Sequence, residues 1–254
     1  MSVQSGAPAG GSAVPAKEHL SVLDRAVAVF ARPTQAWVGI SERSQVWFPI
    51  LISTLLSMAF VVVLYQRAFV PAYHSQYGAM VEAGRMSAEQ AEHAEEVMSG
   101  PLGILFVLVP ATVFPPIMLL LIALVMWFGV GFVLGGKFSY GQALAVTAWS
   151  SLVHIPATIL TAVLAWTRES IQGIHIGLGV LVSESDPPTK LQGALAGALD
   201  AFGPFYVWSL VVAILGASIL SGAPRRSVTW VLSGLYVALV VFFAALAAVF
   251  GPSA

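Results

Sequence analysis

Apolar positions in this chain fall into long unbroken runs, separated by short polar joints. Five runs, at 46–70, 102–134, 141–166, 203–221 and 227–250, reach the length of about 20 residues that a membrane-spanning helix needs. The runs are continuous rather than alternating, which predicts helices and not the strands of a barrel. The expected fold is therefore all-α: a polytopic membrane helix bundle with five transmembrane helices, preceded by an N-terminal amphipathic helix. The second run is long. At a helical rise it would reach roughly 50 Å, against a hydrocarbon core of about 30 Å. Pro110, Pro115 and Pro116 predict a bend within one tilted helix, with a separate interfacial turn over 102–109 as the alternative.

Ahead of the first run the pattern changes. Leu20, Leu23, Val27 and Phe30 share one helical face, and Ser21, Asp24, Arg25 and Ala28 fall opposite. Such a helix either packs on the protein's own cytoplasmic face or lies in the membrane interface, with Arg25 and Arg32 near lipid phosphates. Pro33 ends it and opens a second short helix carrying Trp37, Val38 and Ile40. A polar hinge at 41–45 follows, with Arg43, and then Trp47 and Phe48 anchor the first span. Residues 20–45 are expected to form a cytoplasmic collar along the membrane. Arg25, Arg32, Trp37, Arg43 and Trp47 are its candidate contacts to lipid or a protein partner. Residues 1–19 are expected to be a flexible tail, without the apolar core of a signal peptide, and 251–254 a short C-terminal tail.

Composition sharpens this picture. Hydrophobic residues make up 58% of the chain and charged residues 9%, where an ordinary soluble domain has about 25% charged. Cysteine is absent, which removes disulfides and thiolate metal sites. A net charge of −1 offers a nucleic-acid partner no electrostatic support. Lys17, Arg25, Arg32, Arg43, Lys137, Arg225 and Arg226 fall on one side of a five-span topology; Arg67, Arg85, Arg168 and Lys190 fall on the other. Seven against four places the N-terminus in the cytoplasm and the C-terminus outside.

Polar residues inside the spans are the candidate chemistry. In the third span Thr147, Ser151, His154, Thr158 and Thr161 recur at intervals of four, three, four and three, with Ser150 beside them. This stripe should face other helices. Its histidine is either a functional group or a neutral ring bonded to neighbouring hydroxyls. Pro156 leaves the Leu152 carbonyl without its helical donor. Gly131 and Gly135 form a pair that predicts close helix packing, and Ser53 with Ser57 adds a shorter polar face to the first span. No Asp, Glu, Lys or Arg lies mid-span, which weighs against ion-coupled transport. Nucleophile-elbow, metalloprotease and phosphate-loop motifs are absent, so neither catalysis nor a cofactor is expected.

The loops between the spans carry weaker signals. Ser87 and Gln90 form a capping box that predicts a solvated acidic helix, and a metal site around Glu89 and His93 would lack further ligands. The 171–182 stretch, apolar but glycine-rich, is either re-entrant or a cover for the outer face. Gly173 with Gly177 and Gly193 with Gly197 are small-residue pairs there and just beyond.

Several stretches together resemble the Yip-domain family, five-span membrane proteins named for interaction with Ypt/Rab GTPases. They are "VFARPTQAWVGI" followed by "WFPILI", "SGPLGIL" from Ser99, "GGKFSYGQALAVTAWSSLVHIP" from Gly135, and "LDAFGPFYVWSLVVAILG" from Leu199. The likeness is to bacterial-type members and covers about residues 20–250. It implies a five-span bundle in a bacterial inner membrane. Ser99 stands where eukaryotic members carry acidic and aromatic residues before Gly-Pro, so a Rab-binding role is not implied. The leading functional expectation is a non-enzymatic membrane adaptor or organiser contacting lipid or protein. The alternative is a channel or carrier for a small solute along the polar face of the third span.

Overall fold

The computed structural model describes residues 20–182 and 189–250; the two expected tails lie outside the described residues. The chain is an all-α bundle, with no strand among the described residues. Five helical rods are long and apolar enough to cross a membrane: Trp47–Glu82, Pro101–Val133, Tyr140–Arg168, Pro204–Ser221 and Arg225–Phe250. The protein is an integral, multi-pass membrane protein.

The rods are built from shorter pieces. Helix α1 is Val22–Ala31, capped by the Ser21 hydroxyl. The first rod joins α2 (Trp47–Leu64) to α3 (Val70–Glu82) through a π-helical turn at Tyr65–Phe69. The sequence pattern ended this span near residue 70. The helix continues because Pro71 falls in the first turn of α3, where its missing N–H costs little. Helix α4 (Ala88–Ser99) folds back on α3, opened by the expected Ser87–Gln90 capping box. It is fastened by His74 and Glu95, 2.8 Å apart. Among the described residues no group of three metal-ligating side chains forms.

Helix α5 (Pro101–Trp127) runs through all three internal prolines and continues as a π-helical turn, Phe128–Val133. Residues 102–109 belong to it. Pro115 cannot donate to the Ala111 carbonyl. The Ser57 hydroxyl of α2 donates to that carbonyl instead, at 2.8 Å. A polar group in the first span thus satisfies a backbone acceptor that proline orphaned in the second.

The third rod is α6 (Tyr140–Ser151), a 3-10 turn at Leu152–His154, and α7 (Ile155–Arg168). Helix α6 is the centre of the bundle: every residue from Ala145 to Ser150 is buried. After the loop comes the short helix α8 (Lys190–Asp200), then α9 (Pro204–Ser221) and α10 (Arg225–Phe250). Helix α10 is peripheral, with only Val228 and Leu232 buried. Its exposed apolar surface suits a lipid solvent.

The collar packs into the bundle, one of the two arrangements its pattern allowed. Ala28, Val29, Ala36, Trp37 and Ile40 join the main core with Val146, Trp149, Val153, Val212 and Ala217. Trp37 is 2% exposed and seated on Gly216, where an added Cβ would come within 2.6 Å of the indole. It is therefore a core residue and not an interface contact.

Arg25 is corrected likewise. It is 1% exposed, and its two terminal nitrogens donate to the carbonyls of Ala36 and Val38. Its guanidinium carbon lies 5.6 Å from the Trp149 ring centroid. Burial lowers its pKa from the ordinary arginine value, yet an arginine stays charged in proteins. With Arg25 turned inward it cannot reach lipid phosphates. The apolar side chains Leu23 and Val27 face outward instead, 70% and 58% exposed. Arg32, Arg43 and Trp47 are exposed, as an interface role requires.

The Gly131 and Gly135 pair is corrected too. Gly135 takes a left-handed φ of 63° with no neighbour in reach of a Cβ, so it ends the helix rather than packing it. Gly131 abuts the Phe138 carbonyl of the following turn. The close helix approach is made by Gly129, whose Cβ would lie 2.6 Å from Leu235 on α10.

Candidate functional site

The break in the third rod sets the geometry of its polar face. Three of the stripe's hydroxyls turn back on their own helix: Ser151 to the Ala148 carbonyl at 2.8 Å, Thr158 to His154 at 3.1 Å and Thr161 to Ala157 at 2.9 Å. That is common behaviour for hydroxyls in apolar helices. Thr147 reaches the Met126 sulfur at 3.9 Å. Two polar atoms are left: the Ser150 hydroxyl and His154 Nε2 are both buried without a hydrogen-bond partner. The His154 ring lies against Tyr206 of α9, centroids 4.7 Å apart and tilted 45°.

Two partly open spaces meet at this point. A cavity of ≈ 680 Å³ lies between α2, α5, the third rod and α9. Thr147, Ser151, His154, Thr158 and Thr161 line it on one side, and Ser53, Thr54 and Ser57 face them. Pro115 and Pro116 form part of the wall between. A second space, a groove of ≈ 510 Å³, lies between α6, α8, α9 and α10. Thr147, Ser151, His154 and Tyr206 border both; Ser150 borders the groove alone. The sequence pattern placed the six residues on one face, whereas the fold divides them between two spaces.

Asp200, at the end of α8, closes the cavity at the end remote from the collar. Its carboxylate lies 2.6 Å from His175 Nδ1 and accepts the N–H groups of Gly177 and Gly179 at 2.9 and 3.1 Å. The 171–182 stretch is therefore a cover, drawn down on the bundle end. Ile174, Ile176 and Gly177 line the cavity from above. Gly177 permits this because any Cβ would meet the Asp200 backbone at 2.7 Å. Asp200 is the one charged residue in the cavity wall, and its oxygens are already engaged.

At the collar end Trp149 holds the joint. Its indole N–H donates to the Ser44 carbonyl at 2.9 Å, and its ring stacks on Phe48 at 5.9 Å. Sequence reasoning assigned no role to Asp200, Tyr206 or Trp149. The signal for Asp200 was its position in the "LDAFGPFYVW" stretch, an acid just ahead of a span start.

No group in either space completes a catalytic constellation with His154. The nearest hydroxyls, Ser151 and Thr158, donate to helix carbonyls, and no carboxylate orients the ring. The arrangement can hold or pass a molecule; it offers no activated nucleophile.

No curated protein and no solved structure matches the chain. A family model does, described as the Yip1 domain and matching residues 27–247. This span runs from the middle of α1 to the last turn of α10 and takes in the lining of both spaces. With most of its length matched, the chain belongs to the Yip1-domain family, a family of integral membrane proteins not known as enzymes.

Proposed function

We propose that the protein binds and passes a small uncharged solute through the cavity beside the third rod. The observation that carries this reading is the continuity of the polar lining. Five residues of the stripe, from Thr147 to Thr161, face one volume of ≈ 680 Å³, and hydroxyls of α2 stand opposite. Thr147 to Thr161 covers about 21 Å of helical rise, most of a hydrocarbon core of about 30 Å. The solute is uncharged because the single acid in the wall, Asp200, is already paired and no base faces it. His154, which lines the cavity between Ser151 and Thr158 and has Nε2 without a partner, is the polar contact at its middle.

The test is solute flux into liposomes carrying the full-length protein, followed by light scattering, with glycerol, urea and erythritol as probes. At least one probe should enter faster than into protein-free liposomes. Ser53→Leu and Thr158→Leu, which fill the cavity, should abolish the difference. Flux equal to that of empty liposomes for every probe, or flux unchanged in both variants, would sink the proposal.

A second reading has one observation in its favour. The outward apolar face of α1, with Leu23, Val27 and Phe30 exposed, stands beside exposed Arg32 and Arg43. This suits an adaptor contacting lipid or a protein partner. Loss of partner capture on Leu23→Ser with Val27→Ser, with no solute flux in the parent protein, would favour it. For orientation we propose an N-terminus in the cytoplasm of a bacterial cell, from the distribution of Lys and Arg. A reporter fused after Ala254 that is active only in the cytoplasm would contradict that.

A further inference from the structure

We propose that the groove between α6, α8, α9 and α10 is a separate binding site for an uncharged, single-tailed amphiphile. Its polar head would rest on Ser150 and His154, and its tail would lie along α10. The floor is closed and its outer half is open. Ser150, Ala213 and Leu232 at the bottom are 2%, 7% and 5% exposed, while Gly193, Gly197 and Phe243 at the rim are exposed. No charged side chain lines it.

Two independent observations point to an occupant. The first is polar. The Ser150 hydroxyl is buried without a partner, although its own backbone carbonyl accepts from Ser209 at 3.0 Å. A buried hydroxyl left unbonded is costly, and an acceptor supplied by a ligand head removes that cost. His154 Nε2, in the next turn, is likewise buried without a partner. The second is steric. Gly193 and Gly197, one turn apart on α8, form a notch in which an added Cβ would meet nothing within 4 Å. No helix among the described residues fills it.

The size decides what can. The groove offers ≈ 510 Å³. A single hydrocarbon chain fits that volume. The apolar wall of α10 over the same interval is about 22 Å long, and a chain reaching from one surface to the bilayer centre needs about 15 Å. A charged phospholipid head would have no counter-charge here and would be stranded at the polar floor. The shared chemistry is therefore a hydrogen-bond-accepting neutral head, as in a long-chain alcohol or a tailed quinone. This inference stands apart from the solute path at Ser150 and the two glycines, which border the groove alone, whereas His154 borders both spaces.

Native mass spectrometry of the full-length protein in detergent tests it, with hexadecanol and a decyl-tailed benzoquinone titrated separately. One saturable adduct with either probe is expected; which binds more tightly distinguishes alcohol from carbonyl heads. Gly197→Leu, which fills open space without a clash, should weaken binding about ten-fold or more by removing tail burial. Ser150→Ala should weaken it about three- to ten-fold, the worth of one hydrogen bond. Thr158→Leu, in the other space, should leave it unchanged. No saturable adduct, or adducts indifferent to both Gly197→Leu and Ser150→Ala, overturns the site. A co-purifying diacyl phospholipid that Gly197→Leu removes overturns the single-tailed class.

Discussion

Two regions place polar side chains deep in an apolar bundle and treat them in opposite ways. In the collar, Arg25 is enclosed by its own chain: two backbone carbonyls accept its terminal nitrogens and an indole lies beside the charge, with Nε alone unbonded. Around the break in the third rod, His154 Nε2 and the Ser150 hydroxyl have no protein partner, and both residues border open space. In the first arrangement the chain itself satisfies both terminal nitrogens, so it reads as architecture. The second leaves bonding capacity unused where a molecule could enter, so it reads as a site. Burial is common to both, and the difference lies in whether the protein itself supplies the partner.

This contrast can be broken by substitution, and the largest effect should come from the collar. Trp37→Ala empties the seat on Gly216 and should lower stability by about 3–5 kcal/mol. Thermal unfolding in detergent, read by size-exclusion recovery, measures it; an unchanged midpoint would mean that the collar is not part of the core. Arg25→Met comes next. It keeps much of the volume but strands the Ala36 and Val38 carbonyls, for a loss of about 2–3 kcal/mol by the same measurement. His154→Leu should be smallest in stability, about 1 kcal/mol, because Nε2 has no protein partner and only the ring's hydrogen bond to the Ser151 backbone is lost. The same variant should cut solute flux strongly. A large loss of stability with flux retained would reverse the assignment and make His154 the architectural residue.

Much of the bundle was legible because lipid imposes a simple demand. Each span must satisfy its own backbone and present apolar side chains, so five continuous runs announce five helices. The ends were less legible. The first rod runs on to Glu82 because Pro71 falls where helices tolerate it, which the fall in hydropathy after residue 70 conceals. The glycine pair misled for a related reason. Spacing places Gly131 and Gly135 on one face, but a π-helical turn and a left-handed φ at Gly135 dissolve that face before it can pack.

The collar shows the limit of amphipathic reasoning in a membrane. Periodicity separates Leu23, Val27 and Phe30 from Arg25, but in water the apolar face turns inward, whereas beside lipid it can turn outward. Only the tertiary structure reveals that Arg25 finds its acceptors eleven and thirteen residues later.

The sequence by itself determined the class of fold, the five spans, the family likeness and the polar stripe from Thr147 to Thr161. These follow from local composition and spacing, which the bilayer reads directly. The tertiary structure alone decided that the stripe divides between a cavity and a groove, that Asp200 ties down a glycine-rich cover, and that Ser150 rather than its neighbours is left without a partner. Those outcomes depend on which helices pack against α6 and on where proline and the 3-10 turn interrupt it. Contacts between residues a hundred positions apart, such as Trp149 with Ser44, leave no trace in any local pattern.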